Sequence, residues 1–513
     1  MKQNKEVTKS KRRGTSCGLT LTAALACAPN LIAGTDTWFQ PLTESAAVVE
    51  PNAIEELAAP WVTPGDIAQT NLLSLREIGD PVLSPGQSII NVQELIPFGL
   101  SASMIDMVAY DDSGSYLFMP HEVYTGAGVS RHNLYTGATE VLFQGNFGGG
   151  FFDVWDADWG AFDPCRFTPN STLLLAEEWS GRGRVIEVMN PFADPVDIQI
   201  RELDSIANVA HEGINFSKKF DDVIYFIDEY NSGSIYKFVM SEAGDYTSGQ
   251  TFVLSVDAFS AGGGNAADDW NAESNDGIPR TGPATWVPLT DIDGIALPGI
   301  TDPFRNGPPV GHDIPGVLGG RPAADDAGGT PYGRPEDTEV GKNKRQREVL
   351  YFTATSEKAI YSVEMFRDNT AHVRVLASEA DTPKNLGFDA TSATLDSPDN
   401  LAQDALGNIY VVEDAPNGEP TGGDIWFVRD TDNDGVAESL DHFMSIRVDG
   451  SEATGMIFNP KYPTEFVVAV QHPDSTNLSA VPDGLGDAVW KFDLTQIDNQ
   501  DFVKKLNKAA KHD

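Results

Sequence analysis

Acidic residues follow several apolar, strand-like runs that recur along this chain. These acids are Glu122, Glu177, Glu178, Asp228, Glu229, Glu413 and Asp414. A supersecondary unit that repeats with an acid at the same strand end brings those acids together in three dimensions. Clustered carboxylates cannot all ionise unless a cation lies between them, and Ca²⁺ accepts oxygen ligands in irregular geometry. The pattern therefore predicts a site for hard cations; the alternative is a set of ordinary solvated loop acids.

Polar elements between the strand-like runs add further candidates. They are His211-Glu212-Gly213, Arg334-Pro335-Glu336-Asp337, Ser397-Pro398-Asp399-Asn400 and Glu452-Ala453-Thr454-Gly455. An arginine beside metal-bound carboxylates commonly grips an anionic oxygen group, such as phosphate, through its forked donors. Arg334 is the candidate for that role, and a structural salt bridge to a neighbouring acid is the alternative.

A separate acidic loop follows the pattern of a calcium-binding loop. Acids stand at its first, third, fifth, ninth and twelfth positions, with a glycine at the sixth; the acids are Asp430, Asp432, Asp434, Glu438 and Asp441. This spacing is that of loops that bind Ca²⁺ between two helices. Strand-like runs flank the loop here, so we expect a structural calcium site rather than a helix-loop-helix sensor.

Several common catalytic motifs are absent from the sequence. It contains no Gly-x-Ser-x-Gly elbow, no phosphate-binding Gly-Lys-Ser/Thr loop, no Cys-x-x-Cys pair and no His-Glu-x-x-His motif. The chemistry that depends on these motifs, including that of zinc proteases, is therefore not expected.

The formal net charge of −41 restricts the partners of the protein. A surface this acidic repels nucleic acid and anionic lipid, so we expect no nucleic-acid partner and no membrane insertion. The expected partner is instead a small phosphorylated substrate, and the protein is expected to be a monomer. Only Cys165 lies in the body of the chain, which excludes an intrachain disulfide there.

Six copies of a unit made of two strands and a loop cover most of the chain. Their first strands begin near residues 116, 172, 223, 349, 408 and 465. The spacing is close to that of a four-stranded propeller blade, except between the third and fourth copies. The sequence therefore predicts an all-β fold, a six-bladed β-propeller over 111–494. A Gly-, Pro- and Asp-rich insertion at 242–344 is expected to act as a lid, and the helices are expected to be short and peripheral.

The two ends of the chain are predicted to lie outside the propeller. Residues 1–33 have the features of an export signal, with a basic stretch that includes Arg12-Arg13 and a short apolar run. The arginine pair resembles a twin-arginine signal, and lipidation of Cys27 is a less favoured alternative. Residues 34–110 form an approach segment, and 495–513 a tail that we expect to be a solvated turn. The expected location is periplasmic or extracellular.

The chain resembles the PhoX-type alkaline phosphatases and their uncharacterised relatives. Between about Asp111 and Leu494 it contains, in order, the motifs AEEW, HEG, FIDEYNSGSIYKF, RPED, SPDN, GNIYVVED and QHP. The resemblance implies a six-bladed β-propeller with export commonly by the twin-arginine route. It also implies hydrolysis of phosphomonoesters at a cluster of iron and calcium ions in the propeller channel.

The resemblance further implies roles for individual residues. It gives metal-binding positions to Glu122, Glu177, Glu178, Glu212, Glu229 and Glu336, with Asp399 and Asp414 as further candidates. It gives the catalytic positions to Arg334, which binds the substrate phosphate, and Glu336. His211 and Asn400 are assigned to substrate binding beside Arg334.

One position departs from the family pattern. The phosphatases carry a cysteine that ligates iron just before the paired glutamates, and Ala176 stands there in this chain. Oxygen ligands alone suit Ca²⁺ and Mg²⁺ better than a thiolate-tuned iron centre. We therefore expect calcium, and the substitution argues against Fe³⁺. The leading interpretation is an exported metal-dependent phosphatase. The alternatives are a calcium-stabilised propeller that binds without catalysis, or a calcium-dependent lactonase-type hydrolase.

Overall fold

The computed structural model describes most of the chain from residue 37 onwards. The described residues are 37–48, 60–65, 67–74, 104–123, 125–146, 148–149, 155–179, 182–304, 319–415, 420–448, 451–471 and 487–510. They belong to one compact unit. The predicted export signal and Cys27 lie outside the described residues, so both stay predictions.

Antiparallel strands form five sheets, and the chain folds as an all-β protein. Two N-terminal strands, β1 (Trp61–Val62) and β2 (Ala68–Ser74), pair at the edges of the last two sheets. The first sheet contains β3 (Ala109–Tyr110), β4 (Tyr116–Pro120), β5 (Gly128–Asn133) and β6 (Thr139–Gln144). The second sheet contains β7 (Phe162–Phe167), β8 (Leu173–Glu177), β9 (Val185–Val188) and β10 (Ile200–Glu202).

The third sheet has nine strands in two meanders. The first meander is β11 (Ile214–Phe216), β12 (Val223–Ile227), β13 (Ile235–Met240) and β14 (Gly249–Val256). The second is β16 (Pro335–Lys342), β17 (Glu348–Ala354), β18 (Ala359–Met365) and β19 (Thr370–Ser378). β15 (Gly282–Pro288) joins them by pairing with both β14 and β19. The range 242–344, predicted as an insertion, thus includes β14, β15 and β16.

The last two sheets complete the strand order. One contains β20 (Pro398–Gln403), β21 (Ile409–Glu413), β22 (Asp424–Arg429) and β23 (Ser439–Ile446), with β1 at its edge. The other contains β24 (Glu452–Phe458), β25 (Glu465–Gln471) and β26 (Ala488–Asp493), with β2 at its edge. The six strands that the sequence repeat predicts are β4, β8, β12, β17, β21 and β25, the second strand of each meander.

The meanders follow one another in a propeller-like arrangement. Their first strands, β3, β7, β11, β16, β20 and β24, contact one another in that order. The last meander meets the first where Thr454 Oγ1 donates to the carbonyl oxygen of Ile105 at 2.9 Å. Both faces of a sheet are buried: Leu175 in β8 packs towards the first sheet and Leu174 towards the third. This two-sided burial explains why the strands are continuous apolar runs rather than alternating ones.

Helices are few and short in the described residues. They are α1 (Asp257–Gly262), α2 (Gly320–Ala327) and α3 (Gln500–Ala509), with 3₁₀ turns at Pro195–Asp197, Glu273–Asn275 and Thr355–Glu357. None of them has the length and apolar character needed to cross a membrane.

The tail differs from the solvated turn that we expected. Asn499 caps α3 by accepting the backbone N–H of Phe502 at 3.1 Å. Phe502, Val503 and Leu506 are buried, and the Phe502 ring stacks on Trp38 with 4.5 Å between centroids. The alternation of apolar and lysine residues therefore encodes an amphipathic helix that docks on the core.

Candidate metal centre

Ten buried or half-buried carboxylates form overlapping groups at one end of the strands. Within each group of three, one oxygen of each side chain lies within 4.8 Å of the others. We call the set the acidic centre: Asp106, Glu122, Asp163, Glu178, Glu212, Glu229, Glu336, Asp399, Asp414 and Glu452. Asp163 and Glu212 each belong to two groups, so three of the four groups form a continuous chain of carboxylates.

Two positions in the meanders supply these acids: all six meanders carry an acid at the first position, and four carry one at the second. The start of the first strand, or the residues just before it, carries Asp106, Asp163, Glu212, Glu336, Asp399 and Glu452. The residue that follows the second strand closely provides Glu122, Glu178, Glu229 and Asp414. Antiparallel pairing places the start of one strand beside the end of the next, which brings both positions to the same end of the meander.

A repeated bulge directs the acid of the first strand. The pairing register shifts around Asp163 in β7, and the same shift recurs around Glu336 in β16 and Asp399 in β20. A bulge bends the strand and re-aims the side chains within it. The recurrence explains how separate meanders direct their acids towards one place.

A left-handed residue precedes each of four first-strand acids by two positions. The φ angles are 41° at Met104, 47° at Ala161, 50° at Arg334 and 44° at Ser397. The carbonyl oxygen of this residue accepts the N–H of the residue that follows the second strand; these donors are Glu122 at 2.9 Å, Glu178 at 2.8 Å, Thr355 at 3.0 Å and Asp414 at 3.0 Å. The backbone thus links the two acid-bearing positions of a meander.

The β16–β19 meander places different side chains in this shared backbone. Its left-handed residue is Arg334, and Thr355 stands where the neighbouring meanders carry an acid. The Arg334 guanidinium contacts Glu229, with Nε 2.8 Å from Oε1, and its Nε lies 3.5 Å from Glu336 Oε1. The Arg334 side chain is 33% exposed, whereas those of the two glutamates are buried. A cationic donor therefore lies between the acidic centre and solvent.

The electrostatics of the acidic centre are those of buried like charges. Burial raises the pKa of Asp163 well above its usual range, and the charges of Asp106 and Glu122 raise it further. Burial and neighbouring carboxylates, in that order, also raise the pKa of Asp106, Glu178, Glu212, Asp399 and Glu452. One oxygen each of Asp106 and Asp163 is buried without a hydrogen-bond partner. Such oxygens fit hard cations, which would relieve the repulsion.

Comparison with known proteins identifies the family. The family model described as alkaline phosphatase PhoX matches residues 160–474, more than half of the chain. The chain belongs to the PhoX alkaline phosphatase family. This confirms the resemblance seen in the sequence and the expectation of a phosphoric monoester hydrolase.

A solved PhoX structure has a similar fold. Pseudomonas fluorescens PhoX in complex with vanadate, a transition-state analogue, is 15% identical, with 89% of this chain and 98% of that chain covered and a TM-score of 0.58. A gluconolactonase from Xanthomonas campestris is 13% identical, with 89% and 96% covered, and its TM-score of 0.39 is too low to support an argument. No curated protein sequence matches the chain. The likeness to PhoX supports the β-propeller fold.

The position of the PhoX cysteine is occupied by a core alanine. Ala176 in β8 is fully buried in the apolar cluster between the second and third sheets. Cys165 pairs with Leu175, and both lie in the cluster on the opposite face. Burial raises the pKa of the Cys165 thiol. Among the described residues, the candidate metal groups therefore contain carboxylates alone.

Glu177 is the one predicted metal ligand of the PhoX set that lies outside the acidic centre. Its oxygens accept from Arg184, with Nε at 2.6 Å and Nη2 at 2.7 Å, and from the backbone N–H of Gly160 at 3.0 Å. Consecutive strand residues point to opposite faces, so Glu177 and Glu178 diverge. Asp228, beside Glu229, is likewise paired with Arg321 at 2.6 Å.

The two residues predicted to bind substrate beside Arg334 are buried. His211 has no exposed surface, its ring lies 5.4 Å from that of Phe226, and burial lowers its pKa to about 3. Asn400 donates to Asp399 Oδ1 at 3.3 Å and accepts the backbone N–H of Gly455 at 2.8 Å. Asn400 therefore joins two first strands of the centre, and contact of either residue with substrate stays a prediction.

The acidic loop lies apart from the acidic centre. Asp430, Asp432 and Glu438 form one group, with Asp430 Oδ2 accepting the backbone N–H of Gly435 at 2.8 Å. Asp434 lies nearby, and its Oδ1 accepts the backbone N–H of Val436 at 3.1 Å.

Asp441, predicted as the last ligand of that loop, is directed elsewhere. It lies fully buried in β23, where its Oδ1 accepts from Arg429 Nη2 at 3.1 Å and from Ser439 Oγ at 2.6 Å. The structure thus brings three of the five predicted acids into one group, leaves Asp434 outside it, and gives Asp441 a core ion pair.

Sequence reasoning did not assign three members of the acidic centre. Asp106 and Asp163 were not recognised, and Glu452 was noted without a metal role. Each lies at the first strand of a meander, one hairpin upstream of an acid or polar residue that ends the second strand. An acid at that upstream position in every copy of the repeat is the signal that would have found them.

Proposed function

We propose that the protein hydrolyses small phosphomonoesters at the acidic centre, which would lie in the central channel of a six-bladed propeller. The blade count treats the nine-stranded sheet as two four-stranded blades joined by β15. The observation that carries the proposal is a cluster of ten buried or half-buried carboxylates from six meanders beside one half-buried guanidinium. Carboxylates clustered in this number cannot all ionise unless cations lie between them, and the guanidinium offers an anion a place to bind.

The ten carboxylates of the acidic centre would hold the cations. The oxygen-only donor set favours Ca²⁺, with Mg²⁺ as a further candidate, and the absence of a thiolate in the described groups disfavours iron. When bound, these cations supply Lewis-acid chemistry that polarises phosphoryl oxygens, activates an attacking oxygen and offsets developing charge.

Arg334 would orient the substrate phosphate. Its charge is held by the carboxylates of Glu336 and Glu229, which raise its pKa, so it is cationic at every working pH. Planar, forked donors suit a phosphate oxygen pair. Glu336, the second proposed catalytic residue, lies 3.5 Å from Arg334 Nε and would position both the guanidinium and a cation.

The test is hydrolysis of 4-nitrophenyl phosphate by protein stripped of metal and then reconstituted. We expect the chelated protein to lose activity and to recover it with Ca²⁺, with iron added in a separate arm. Elemental analysis of each sample verifies the metal content. Full turnover by protein shown to be metal-free would contradict the proposal.

The acidic loop at 430–438 is proposed as a separate structural calcium site. Asp430, Asp432 and Glu438 would supply the ligands, with Asp434 beside them. We expect Asp432→Asn to abolish the rise in melting temperature that Ca²⁺ gives through this loop, with phosphatase activity unchanged. An Asp432→Asn protein with the calcium response of the original would argue against the site.

The remaining proposals concern location, assembly and alternatives. Export through the N-terminal signal to the periplasm or beyond, and a monomeric state, are proposed from the sequence features alone. A calcium-stabilised binding module and a lactonase-type hydrolase were the alternatives. Membership of a phosphatase family favours neither.

A further inference from the structure

The β16–β19 meander contains another buried carboxylate, Glu357, that does not belong to the acidic centre. Glu357 follows β17 and has a side chain that is only 6% exposed. Its oxygens accept from Arg280 Nη1 at 2.6 Å, Arg280 Nη2 at 2.5 Å, Tyr361 Oη at 2.7 Å and the backbone N–H of Gly333 at 2.7 Å. Four donors thus fix this carboxylate, and one of them is the residue before Arg334.

Gly333 is confined between Glu357 and an indole. A Cβ at this position would lie 2.5 Å from Trp270 Nε1 and 2.7 Å from Glu357 Cγ. The Arg280 guanidinium lies over the Trp270 ring at 5.1 Å, so the same arginine contacts both Trp270 and Glu357, the two side chains on either side of Gly333. The carbonyl oxygen of Gly333 accepts the N–H of Ser356 at 3.0 Å. The backbone that leads into Arg334 is therefore held from both sides.

Arg334 needs this support because its backbone is left-handed. A non-glycine residue at φ 50° costs free energy and persists where its surroundings determine it. The Arg334 N–H donates to the Tyr230 carbonyl oxygen at 3.2 Å, and its own carbonyl accepts from Thr355. The Arg280–Glu357 pair supplies the remaining restraint, one residue upstream.

We propose that Arg280 and Glu357 are positioning residues that hold Arg334 in the orientation that binds phosphate. The inference rests on the proposed role of Arg334. Arg280 lies between α1 and β15, outside the repeated meanders, so the connecting segment between β14 and β15 determines phosphate affinity without touching the acidic centre. A forked, two-bond pair matters here because lysine would keep the charge and lose the fixed geometry.

The test is a double-mutant cycle of Arg280→Lys and Arg334→Ala in the metal-loaded full chain. The readouts are the inhibition constant of orthophosphate and the KM and kcat for 4-nitrophenyl phosphate, with metal content measured for each variant. We expect Arg280→Lys to raise the inhibition constant and KM about tenfold, with metal content and kcat nearly unchanged. In the Arg334→Ala background the same change should have no further effect, because coupled residues are non-additive.

Arg347→Lys is the matched control, since Arg347 pairs with the buried Glu364 at 2.7 Å at the other end of the same meander. Its phosphate inhibition constant should not change. Glu357→Gln is the second variant and should reproduce the effect of Arg280→Lys. An effect of Arg280→Lys that persists in the Arg334→Ala background, or no effect at all, would overturn the inference alone. An Arg334→Ala protein with normal phosphate inhibition would instead overturn the proposed function and this inference with it.

Discussion

The β16–β19 meander and the β7–β10 meander build the same turn and place different side chains in it. In β7–β10 the turn carries Ala161 at the left-handed position and presents Asp163 and Glu178. In β16–β19 the left-handed position is Arg334, and Thr355 replaces the second acid. A repeated backbone thus supplies fixed positions, and we propose that the residue type at each decides whether a meander would bind cations or an anion.

The difference has an electrostatic consequence. Ten carboxylates repel a phosphate unless cations and at least one positive side chain offset them. The β16–β19 meander lacks the second acid and also brings the guanidinium, so it presents both less negative and more positive charge than β7–β10. We infer that a phosphate approaches the centre from this side.

The largest expected effect comes from removing an acid that two metal groups share. Glu212→Gln should lower kcat/KM for 4-nitrophenyl phosphate by about a hundredfold or more, because a lost ligand costs at least as much as a lost supporting residue. Bound metal, measured by elemental analysis, should fall in parallel.

Glu348→Gln is the control for that change. Glu348 is as buried as Glu212. It begins β17, at the end of that strand away from the acidic centre, where Tyr225 Oη and Ser217 Oγ donate to it. Its activity and metal content should stay near those of the original protein. Equal losses in both variants would show that Glu212 acts through folding and not through metal.

The sequence reveals half of this arrangement clearly. Second-strand acids such as Glu122, Glu178 and Glu229 stand directly after long apolar runs, where a period is easy to see. The six second strands and the all-β class were predictable for the same reason, and the family was predictable from its short motifs in their fixed order. In the structure Ala176 and Cys165 both lie in apolar clusters.

The other half depends on geometry that composition does not display. Asp163 reaches the centre through a bulge and a left-handed residue, and Asp106 also follows a left-handed residue. The residue types of Met104 and Ala161 give no sign of that backbone. The resemblance assigned Glu177 to metal together with Glu178, whereas strand alternation in the structure pairs Glu177 with Arg184. The direction of such a side chain depends on strand pairing and on ion-pair partners that the local sequence does not show.

The next largest effect should come from Arg334→Ala. Removing a charge-assisted pair of donors should cost about ten- to a hundredfold in kcat/KM, with the metal content kept. The inhibition constant of orthophosphate should rise by a similar factor. Arg347→Ala serves as the control. An Arg334→Ala enzyme with full activity would show that Arg334 does not bind the substrate phosphate and that the β16–β19 meander has no role in anion binding.

A smaller effect should follow when the β16–β19 meander is given the second acid that the β7–β10 meander carries. Thr355→Asp restores an acid at the position that Glu178 and Asp414 occupy elsewhere. A carboxylate beside the phosphate should weaken orthophosphate inhibition roughly tenfold through repulsion at short range. Thr355→Asn, of the same size without the charge, should change it little. Equal inhibition constants for the two variants would show that phosphate does not bind on this side.

The smallest effect concerns the stability of the metal-free protein. Burial raises the pKa of Asp106, Asp163 and Glu212 above the values of an unfolded chain, so the folded state binds more protons than the unfolded state. The free energy of unfolding should therefore fall as pH rises from about 4 through these raised pKa values. Melting temperatures of chelated protein should be higher at pH 5 than at pH 8. Because cations bind the ionised carboxylates, added Ca²⁺ should reduce or reverse this trend. If chelated protein were instead more stable at pH 8 than at pH 5, these acids would not form one cluster of buried, mutually repelling carboxylates.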